Sequence, residues 1–517
     1  MTPAVRAWFG FAAMCVGMFM AILDIQIVAA ALPNIAHALH APLDRLSWIQ
    51  TAYLISEVIA IALSGRLTRA LSTRGVFALG VAGFVLASVG CAAAHDFATL
   101  VVWRTLQGFC GGVIIPTVFA AGFRMFAPAL QARALLLAGA LAMFAPSIGP
   151  LLGGFITQQL SWHWLFLINV PVGVVVAAVA FAVVRIDTPD ARAWRTIDGV
   201  ALVALALGLA LLEIALKVAP GDRWTQPRDL ALVLAVAACA TLFVRRCLAH
   251  TDPLVDFTPF RAASFTAACA FNFALGLGLY GSVYVLPLFL GFVRGRSALE
   301  IGIVMTVTGV AQLLAAPLAT FAEKRFPPMW VAGFGFALFA AGSFANAGAS
   351  PRSDFADFVV PQILRGAAVL FCILPVTTVA LESQPAERLS NASGLLNLVR
   401  NIGGAVGIGL VDTIVNVRPA AIADGLQRAL TAGSRRTAEF VGLPTDLFDG
   451  RPLAHVDAAQ AAFARPLVER AAATIAFNEA WLVLGGLTLL ALVAAPFLRR
   501  TNDGRGVVRA AANVAAP

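Results

Sequence analysis

The stretch Met14 to Pro33 reads MCVGMFMAILDIQIVAAALP and is almost entirely apolar. It is long enough to cross a lipid bilayer, because an α-helix needs about 20 apolar residues to do so. Asp24 interrupts it. A carboxylate at that depth costs a few kcal/mol unless it is paired, protonated or in contact with water. The stretch therefore predicts a membrane-spanning helix whose acid has either a partner or a function.

The composition of the whole chain extends this interpretation. Of its 517 residues, 60% are hydrophobic and 12% are charged, whereas soluble proteins average about 25% charged residues. The net charge of +9 is explained by basic loops that orient membrane spans, so we do not expect a nucleic-acid partner. The sequence predicts an all-α membrane protein that crosses the lipid bilayer many times.

Apolar runs of about 18 residues or more predict fourteen transmembrane helices. Their predicted positions are 8–32, 47–65, 76–94, 98–121, 134–157, 163–184, 197–216, 229–248, 264–291, 299–321, 328–347, 356–381, 393–416 and 476–498. Basic residues concentrate in the loops on one side, which predicts that both termini are cytoplasmic. Residues 417–475 are predicted to form a long, partly helical outer loop, and residues 501–517 a short disordered tail.

Enzyme motifs are absent from the sequence. It contains no GxxxxGKS/T phosphate-binding loop, no GxSxG and no HExxH. Its seven cysteines form neither a CxxC motif nor a cluster with histidine, so no metal site and no disulfide framework is predicted. We therefore expect no cofactor, no metal ion and no enzymatic reaction.

Asp24 has one candidate partner. At a rise of about 1.5 Å per residue, Asp24 and Arg104 lie at similar depths in the first and fourth predicted helices. If these two helices are neighbours, the charges can pair, which is the usual way in which membrane charges are tolerated. Two interpretations stay open: Asp24 carries protons, or it is one half of a fixed salt bridge.

Glu57 lies near the middle of the second predicted helix. Gln50, Tyr53 and Glu57 follow at spacings of three and four residues and therefore share one face. That face should line a cavity, where an unpaired carboxyl can take up and release a proton. The alternative is a neutral glutamic acid that is hydrogen bonded in the packing. Glu213 is a weaker candidate, because the seventh helix is expected to lie outside the main bundles.

Small and polar residues mark other helix faces. Gly108 and Gly112 have GxxxG spacing, and Gly149-Pro150 followed by Gly153-Gly154 combines a kink with a small face. Such faces let helices approach closely and move against one another, although static bundles use them too. The residues that could line a substrate cavity, with packing as the alternative, are Gln50, Tyr53, Gln107, Tyr280, Tyr284 and Asn397.

Five motifs make the chain similar to a known family. They are LDIQIVAAALP, WIQTAYLISE, WRTLQGFCGG, APSIGPLLGG and WHWLFLINVPVG. Together they resemble the fourteen-helix drug/proton antiporter branch of the major facilitator superfamily, the EmrB/QacA type, over roughly residues 8–498. The family's loop motif GxLxDxxGR is altered: Gly65 is kept and Arg74 follows, but Arg69 replaces the acid and Ser72 the second glycine. This departure leaves open the charge relay usually assigned to that gating loop.

The resemblance implies a major facilitator fold of two six-helix bundles, at 1–185 and 262–500, with two inserted transmembrane helices at 186–261. It implies export of small amphipathic toxic compounds across a bacterial inner membrane, by alternating access and in exchange for protons. Proton coupling would fall to Asp24, Glu57 and Arg104, and the antiporter hinge to Gly149-Pro150.

The resemblance also implies partners, and it leaves two rival functions open. EmrB-type proteins work with a periplasmic adaptor and an outer-membrane channel, and the loop 417–475 is the candidate contact surface. One rival is an exporter of a single metabolite class, such as fatty acids or siderophores. The other is a membrane sensor or scaffold that transports nothing.

Overall fold

The structure is a computed structural model and describes residues 2–218, 226–385, 388–443 and 458–498. The predicted tail 501–517 and the centre of the predicted loop 417–475 lie outside these residues. In the part described, the regular secondary structure is helical, without β-strands. Its α-helices are α1 (Pro3–Ala38), α2 (Trp48–Ala92), α3 (Phe97–Met125), α4 (Pro128–Gln159), α5 (Trp164–Leu167), α6 (Asn169–Val183), α7 (Gly199–Val218), α8 (Pro227–Ala249), α9 (Ala263–Leu288), α10 (Ala298–Arg325), α11 (Pro328–Asn346), α12 (Phe355–Glu382), α13 (Leu389–Thr431), α14 (Arg435–Val441) and α15 (Ala458–Leu490).

Among the described residues, 13 helices are long and apolar enough to cross a membrane, one fewer than predicted. The difference lies in α2, whose 45 residues would measure about 68 Å at 1.5 Å per residue, against about 30 Å for the apolar core of a bilayer. Ser72, with φ 68° and ψ 159°, breaks α2 into two pieces. These pieces correspond to the second and third predicted helices, so the fourteen predicted crossings are accounted for.

The break in α2 is stabilised by an acid from a later loop. The backbone N–H of Thr73 donates to Asp187 Oδ1 at 2.8 Å, and the Thr73 hydroxyl donates to Asp187 Oδ2 at 2.7 Å. Arg124 pairs with the same carboxylate at 3.1 Å. Asp187 therefore caps the second piece of α2, because its carboxylate accepts an N–H that the interrupted helix leaves unpaired.

Short connections make successive helices antiparallel, so the bundle has two ends. We call the end at which α1 begins the terminal end, and the end at which α1 stops, at Ala38, the distal end. The predicted outer loop belongs to the distal end and is largely helical where it is described, since α13 runs on to Thr431 and α15 begins at Ala458. Leu430, Val441 and Val468 form a small apolar core there.

The glycines of α4 bring together helices from the predicted units 1–185 and 262–500, which we call the first and second parts of the chain. α4 packs against α1 and against α10. A Cβ atom added to Gly153 would lie 2.5 Å from the carbonyl oxygen of Ile27 on α1, and one added to Gly154 would lie 2.3 Å from that of Ala298 on α10. These contacts are shorter than carbon and oxygen atoms tolerate, so only glycine permits the two helices to approach α4 this closely.

The remaining residues of this motif make similar contacts. A Cβ atom on Gly149 would lie 2.6 Å from Cβ of Gln26 on α1. The carbonyl oxygen of Pro150 would lie 2.3 Å from a Cβ atom on Gly302 of α10. The predicted small face is therefore a packing surface on both sides of α4, whereas its action as a hinge stays a prediction.

α7 has more neighbours than the sequence suggests. It packs along α8 and also against α2 and α13. The Thr413 hydroxyl of α13 donates to the carbonyl oxygen of Leu216 at 2.5 Å, and Glu213 is 2% exposed. Glu213 is therefore buried among other helices, whereas the expectation that the seventh helix lies outside the two bundles stays a prediction.

The α4 contacts generate a prediction for Gly154. We expect Gly154→Ala to lower the free energy of unfolding by about 1–3 kcal/mol, because the new methyl group must push α4 and α10 apart. The measurement is thermal unfolding of the purified protein in detergent. The matched control is Gly139→Ala on the same helix, where an added Cβ meets nothing within 4 Å. Equal unfolding temperatures for the two variants would contradict the prediction.

Candidate functional site

Asp24 is fully buried, and both of its carboxylate oxygens have polar partners. Its Oδ2 accepts from Arg104 Nη1 at 2.5 Å. Its Oδ1 accepts from the side-chain amides of Gln107 at 3.0 Å and Asn169 at 2.9 Å. The pairing of Asp24 with Arg104, which the sequence predicts from their depths, is therefore confirmed. The two amides are further donors that stabilise the carboxylate in its ionised form.

Arg104 is held by hydrogen bonds and by an aromatic ring. Its Nε donates to the carbonyl oxygen of Ile49 at 3.1 Å, and Nη1 also donates to Gln107 Oε1 at 2.7 Å. Nη2 has no hydrogen-bond partner among the described residues, but the guanidinium carbon lies 4.3 Å from the centre of the Tyr53 ring. The aromatic face stabilises the cation where a hydrogen bond does not.

Two members of this cluster were not predicted from the sequence. Asn169 begins α6, and Ser88 lies in the second piece of α2, where its hydroxyl accepts from Gln107 at 2.9 Å and from Asn169 at 3.4 Å. Both side chains are buried. Asn169 stands within the quoted motif WHWLFLINVPVG, so a polar residue inside an apolar motif was the available signal.

Glu57 has a different environment. It is 2% exposed, and its Oε2 has no hydrogen-bond partner in the described chain. The groups that act on its carboxyl are the charge of Arg400, the side chain of Asn401 and, more weakly, the charge of Arg104. Arg400 and Asn401 belong to α13, so Glu57 lies where the first and second parts of the chain meet.

The position of Glu57 is set by glycines on α3. A Cβ atom on Gly108 would lie 2.3 Å from the carbonyl oxygen of Tyr53, and one on Gly112 would lie 2.5 Å from that of Glu57. α3 therefore packs directly on the backbone of α2 at the two residues that interact with Arg104 and Arg400. The GxxxG face predicted from the sequence fixes the depth and rotation of the candidate proton site.

The facing surface on α13 is polar and partly open. Arg400 donates to Asn397, and the hydroxyl of Tyr280 on α9 donates to Asn401 Oδ1 at 3.3 Å. Arg400, Asn397 and Tyr280 are half-buried. α9 and α13 are in backbone contact here, because a Cβ atom on Gly276 would lie 1.9 Å from the carbonyl oxygen of Arg400. Asn401 is a site residue that the sequence analysis did not identify.

The other residues predicted to line a cavity are buried in this conformation. Gln50 and Tyr53 are 2% and 1% exposed, and Gln50 Nε2 has no partner among the described residues. Gln107 belongs to the Asp24 cluster. Tyr284 is fully buried, and its hydroxyl donates to Asp412 Oδ1 at 2.8 Å. Their contact with a substrate stays a prediction.

The altered gating loop has its own partners. Arg69, which stands in place of the motif's acid, pairs with Asp252 at 3.3 Å. The buried Arg66 lies 3.1 Å from the same carboxylate and donates to the carbonyl oxygens of Asp252 and Pro253, both at 2.7 Å, and to that of Thr196. Thr196 precedes α7 and Asp252 follows α8. These arginines therefore fix both connections of the inserted helix pair.

The remaining gating-loop residues make fewer contacts. The Arg74 guanidinium lies 4.9 Å from the centre of the Phe181 ring, and Gly65 has open space where a Cβ atom would stand. Close by, Arg246 donates to Asp198 at 2.9 and 3.1 Å, and this hydrogen bonding keeps the pKa of Asp198 below its usual value. A gating role for these residues stays a prediction.

A second buried arginine, Arg365, differs from Arg104 in one respect. Arg365 on α12 is 2% exposed and donates to Gln362 at 2.6 Å. No carboxylate pairs with it among the described residues. Its guanidinium instead lies 4.8 Å from the ring centre of Trp481 and 5.3 Å from that of Phe339. Arg365 therefore lacks the buried carboxylate partner that Arg104 has in Asp24.

The Asp24–Arg104 pair generates a double-mutant prediction. We expect Arg104→Ala to destabilise the protein by about 3–5 kcal/mol, because it leaves a buried carboxylate without its cation. Asp24→Asn combined with Arg104→Ala should cost less than the sum of the two single changes, with a coupling energy of about 0.5–3 kcal/mol. The measurement is chemical unfolding of all four proteins.

The control is a second double-mutant cycle, in which Arg365 is mutated in place of Arg104. Arg365→Ala and Asp24→Asn should be additive, since these residues lie in different parts of the chain and share no partner. Additivity in both cycles would argue against energetic coupling of Asp24 and Arg104.

Comparisons with known proteins agree on the family. Residues 14–408 match the family described as Major Facilitator Superfamily. The chain is 36% identical over 414 residues to the colistin resistance protein EmrB of Acinetobacter baumannii, covering 80% of each chain. It is 29% identical over 405 residues to the multidrug export protein EmrB of Escherichia coli, covering 78% of this chain and 79% of that protein.

Solved structures with low sequence identity share the fold. A bacterial homologue of the human lysosomal transporter Spinster superposes with a TM-score of 0.61 at 16% identity, covering 96% of this chain and 99% of that one. A D-xylose–proton symporter gives 0.60 at 11% identity, with 96% and 98% covered. The fourteen-crossing bundle described above thus has the major facilitator architecture, and the chain belongs to the major facilitator superfamily, within its EmrB-type branch of drug/proton antiporters.

Proposed function

We propose that the protein is a proton-coupled multidrug exporter, which exchanges protons for small amphipathic compounds. The observation that carries the proposal is the environment of Glu57. Its carboxyl group is buried, has one oxygen without a partner among the described residues, and faces the polar surface of α13 from α2. Buried acids in transporters of protons are found in such positions, because a group that must exchange its proton cannot be locked by hydrogen bonds.

The contacts of Glu57 suggest how exchange occurs. When Glu57 is ionised, its charge is balanced by Arg400 across the interface. When Glu57 binds a proton, Arg400 no longer has a negative charge opposite it and can interact with a polar group of the substrate. Proton and substrate thus alter the same interface between α2 and α13, which couples their binding.

Asp24 and Arg104 have a supporting role in this proposal. Both oxygens of Asp24 already accept hydrogen bonds, one of them from the guanidinium. This arrangement favours the fixed salt bridge over proton carriage, since protonation would remove a charge-assisted bond from a fully buried cation. The pair holds Arg104 against the ring of Tyr53, one turn away from Glu57.

Alternating access would occur by rocking of the predicted units 1–185 and 262–500. The contacts that must separate at the distal end include those of α4 with α10, and the separation at the middle would part Glu57 from Arg400. The glycine faces of α4 support this motion, because flat surfaces of small residues can slide without rearranging side chains.

We further propose that the protein lies in a bacterial inner membrane with both termini in the cytoplasm. The arginines at the terminal end support this orientation, because basic residues are enriched on the cytoplasmic side. They include Arg66, Arg69, Arg124 and Arg246.

The distal extensions of α13 and α15 are the surface proposed for a periplasmic adaptor, which would connect the exporter to an outer-membrane channel. Their apolar core lets them project beyond the membrane as a helical unit. Arg418 and Glu479 join the two extensions near their base, at 2.7 Å.

The proposal predicts that Glu57→Gln abolishes coupled export. Amide replacement keeps the size and one hydrogen-bonding oxygen, but it removes the group that binds a proton. In proteoliposomes, proton release on addition of substrate should fall to the level of protein-free vesicles, with a normal amount of protein in the membrane. Compounds to be tested are a cationic dye, a lipophilic weak acid and a neutral amphiphile.

The matched control is Glu300→Gln, an exposed acid that pairs with Arg296 at the start of α10. It should transport at the wild-type rate. Undiminished coupling in Glu57→Gln would refute the assignment of Glu57. Wild-type export of one compound class alone would favour a dedicated exporter, and the absence of proton flux with every compound would favour a sensor or scaffold.

A further inference from the structure

A second group of buried charges lies at the distal end, where α7 meets α2 and α13. Glu213 and Lys217 stand one turn apart on α7, and Asp412 faces them from α13. Lys217 Nζ lies 3.5 Å from Glu213 Oε1 and 3.8 Å from Asp412 Oδ2. The side chains are 2%, 11% and 3% exposed, in the order Glu213, Lys217, Asp412.

In this cluster a single cation, Lys217, lies within ion-pairing distance of two carboxyl groups. Lys217 Nζ and Glu213 Oε1 each lack a hydrogen-bond partner among the described residues. With both carboxyls ionised, the three side chains carry one uncompensated negative charge in a buried site. Two carboxyls that share a site cannot both stay ionised at low cost, so the group becomes neutral by binding one proton.

Among the described residues, neighbouring side chains do not supply the missing positive charge. Asp44, in the connection between α1 and α2, acts on both Lys217 and Asp412 and adds negative charge. Tyr284 of α9 donates to Asp412 at 2.8 Å, and Thr51 of α2 interacts with Glu213.

In the described chain, Ser47 also interacts with Asp412, and an aromatic ring lies near Lys217. Lys217 Nζ lies 4.4 Å from the ring centre of Trp48. On α8, which packs along α7, the charged residues at this end are Arg228 and Asp229, and they lie 3.9 Å from one another.

We propose that Glu213, Lys217 and Asp412 form a second proton-binding site, which holds one proton shared between its two carboxyls and lies between the distal surface and Glu57. Asp44 is exposed and Lys217 is partly so, which gives water access from the distal side. Thr51, which contacts Glu213, is six positions before Glu57 on α2, or about 9 Å along the helix. The part that leads to Glu57 rests on the proposed function, whereas proton binding by the cluster does not.

The test is infrared difference spectroscopy of the purified protein in lipid, between mildly alkaline and mildly acidic buffer. A buried protonated carboxyl gives a carbonyl-stretching band that is distinct from those of carboxylates. The experiment is done in a Glu57→Gln background, so that Glu57 contributes nothing. We expect one band in this background and its loss in either Glu213→Gln or Asp412→Asn, because each change leaves a neutral acid–lysine pair.

A third variant distinguishes a proton site from a merely structural ion cluster. Lys217→Met should increase the band about twofold, since both buried acids then lack a cation and both bind a proton. Glu300→Gln is the exposed control and should leave the band unchanged. The amide variants are isosteric, and either one suffices if the other does not fold.

Three results would overturn the proposal: no band in the Glu57→Gln background, a band insensitive to both amide variants, or no increase in Lys217→Met. The readout requires no substrate. A failure of drug export would therefore leave this result interpretable, and a failure of the infrared test would leave the role of Glu57 untouched.

Discussion

The cost of burying charge is the constraint on which most of this structure depends. In the first part of the chain this cost is offset by pairing, because the buried Asp24 forms an ion pair with Arg104 and accepts hydrogen bonds from two side-chain amides. Arg104 in turn contacts the backbone of α2 at Ile49 and the ring of Tyr53. The cluster therefore joins α1, α2, α3 and α6. A buried pair of this kind adds little net stability compared with apolar packing, but it penalises any arrangement in which the partners separate.

The cost of burying charge also applies to Glu57 and to the acids near α7, but there it is not offset by a complete set of partners. Glu57 and Glu213 each have one carboxyl oxygen without a hydrogen-bond partner among the described residues, and both lie where α13 approaches α2. A group whose compensation comes from another moving element has a charge state that depends on conformation. This dependence is the physical basis of coupling between protonation and movement.

The inserted helices α7 and α8 are bound to the bundle at both ends. At the terminal end, Arg66 bonds to the segments before α7 and after α8. At the distal end, Lys217 lies between acids of α7 and α13. The loss of the motif's acid at Arg69 is therefore not a loss of contact. Arg69 instead pairs with Asp252 in the linker.

The sequence by itself determined the number of crossings, the glycine faces and the depth of the buried charges. Each of these depends on local composition and on the fixed rise of a helix, which is why Asp24 and Arg104 could be paired before the fold was known. Only the tertiary structure decided which side chains share an environment. Asn169, Ser88 and Asn401 are ordinary polar residues in sequence, and Glu213 looked peripheral, because hydropathy records how apolar a helix is and not which helices surround it. Beyond 416 the sequence predicted a partly helical loop but not how far its helices extend, because they pack on one another outside the apolar region.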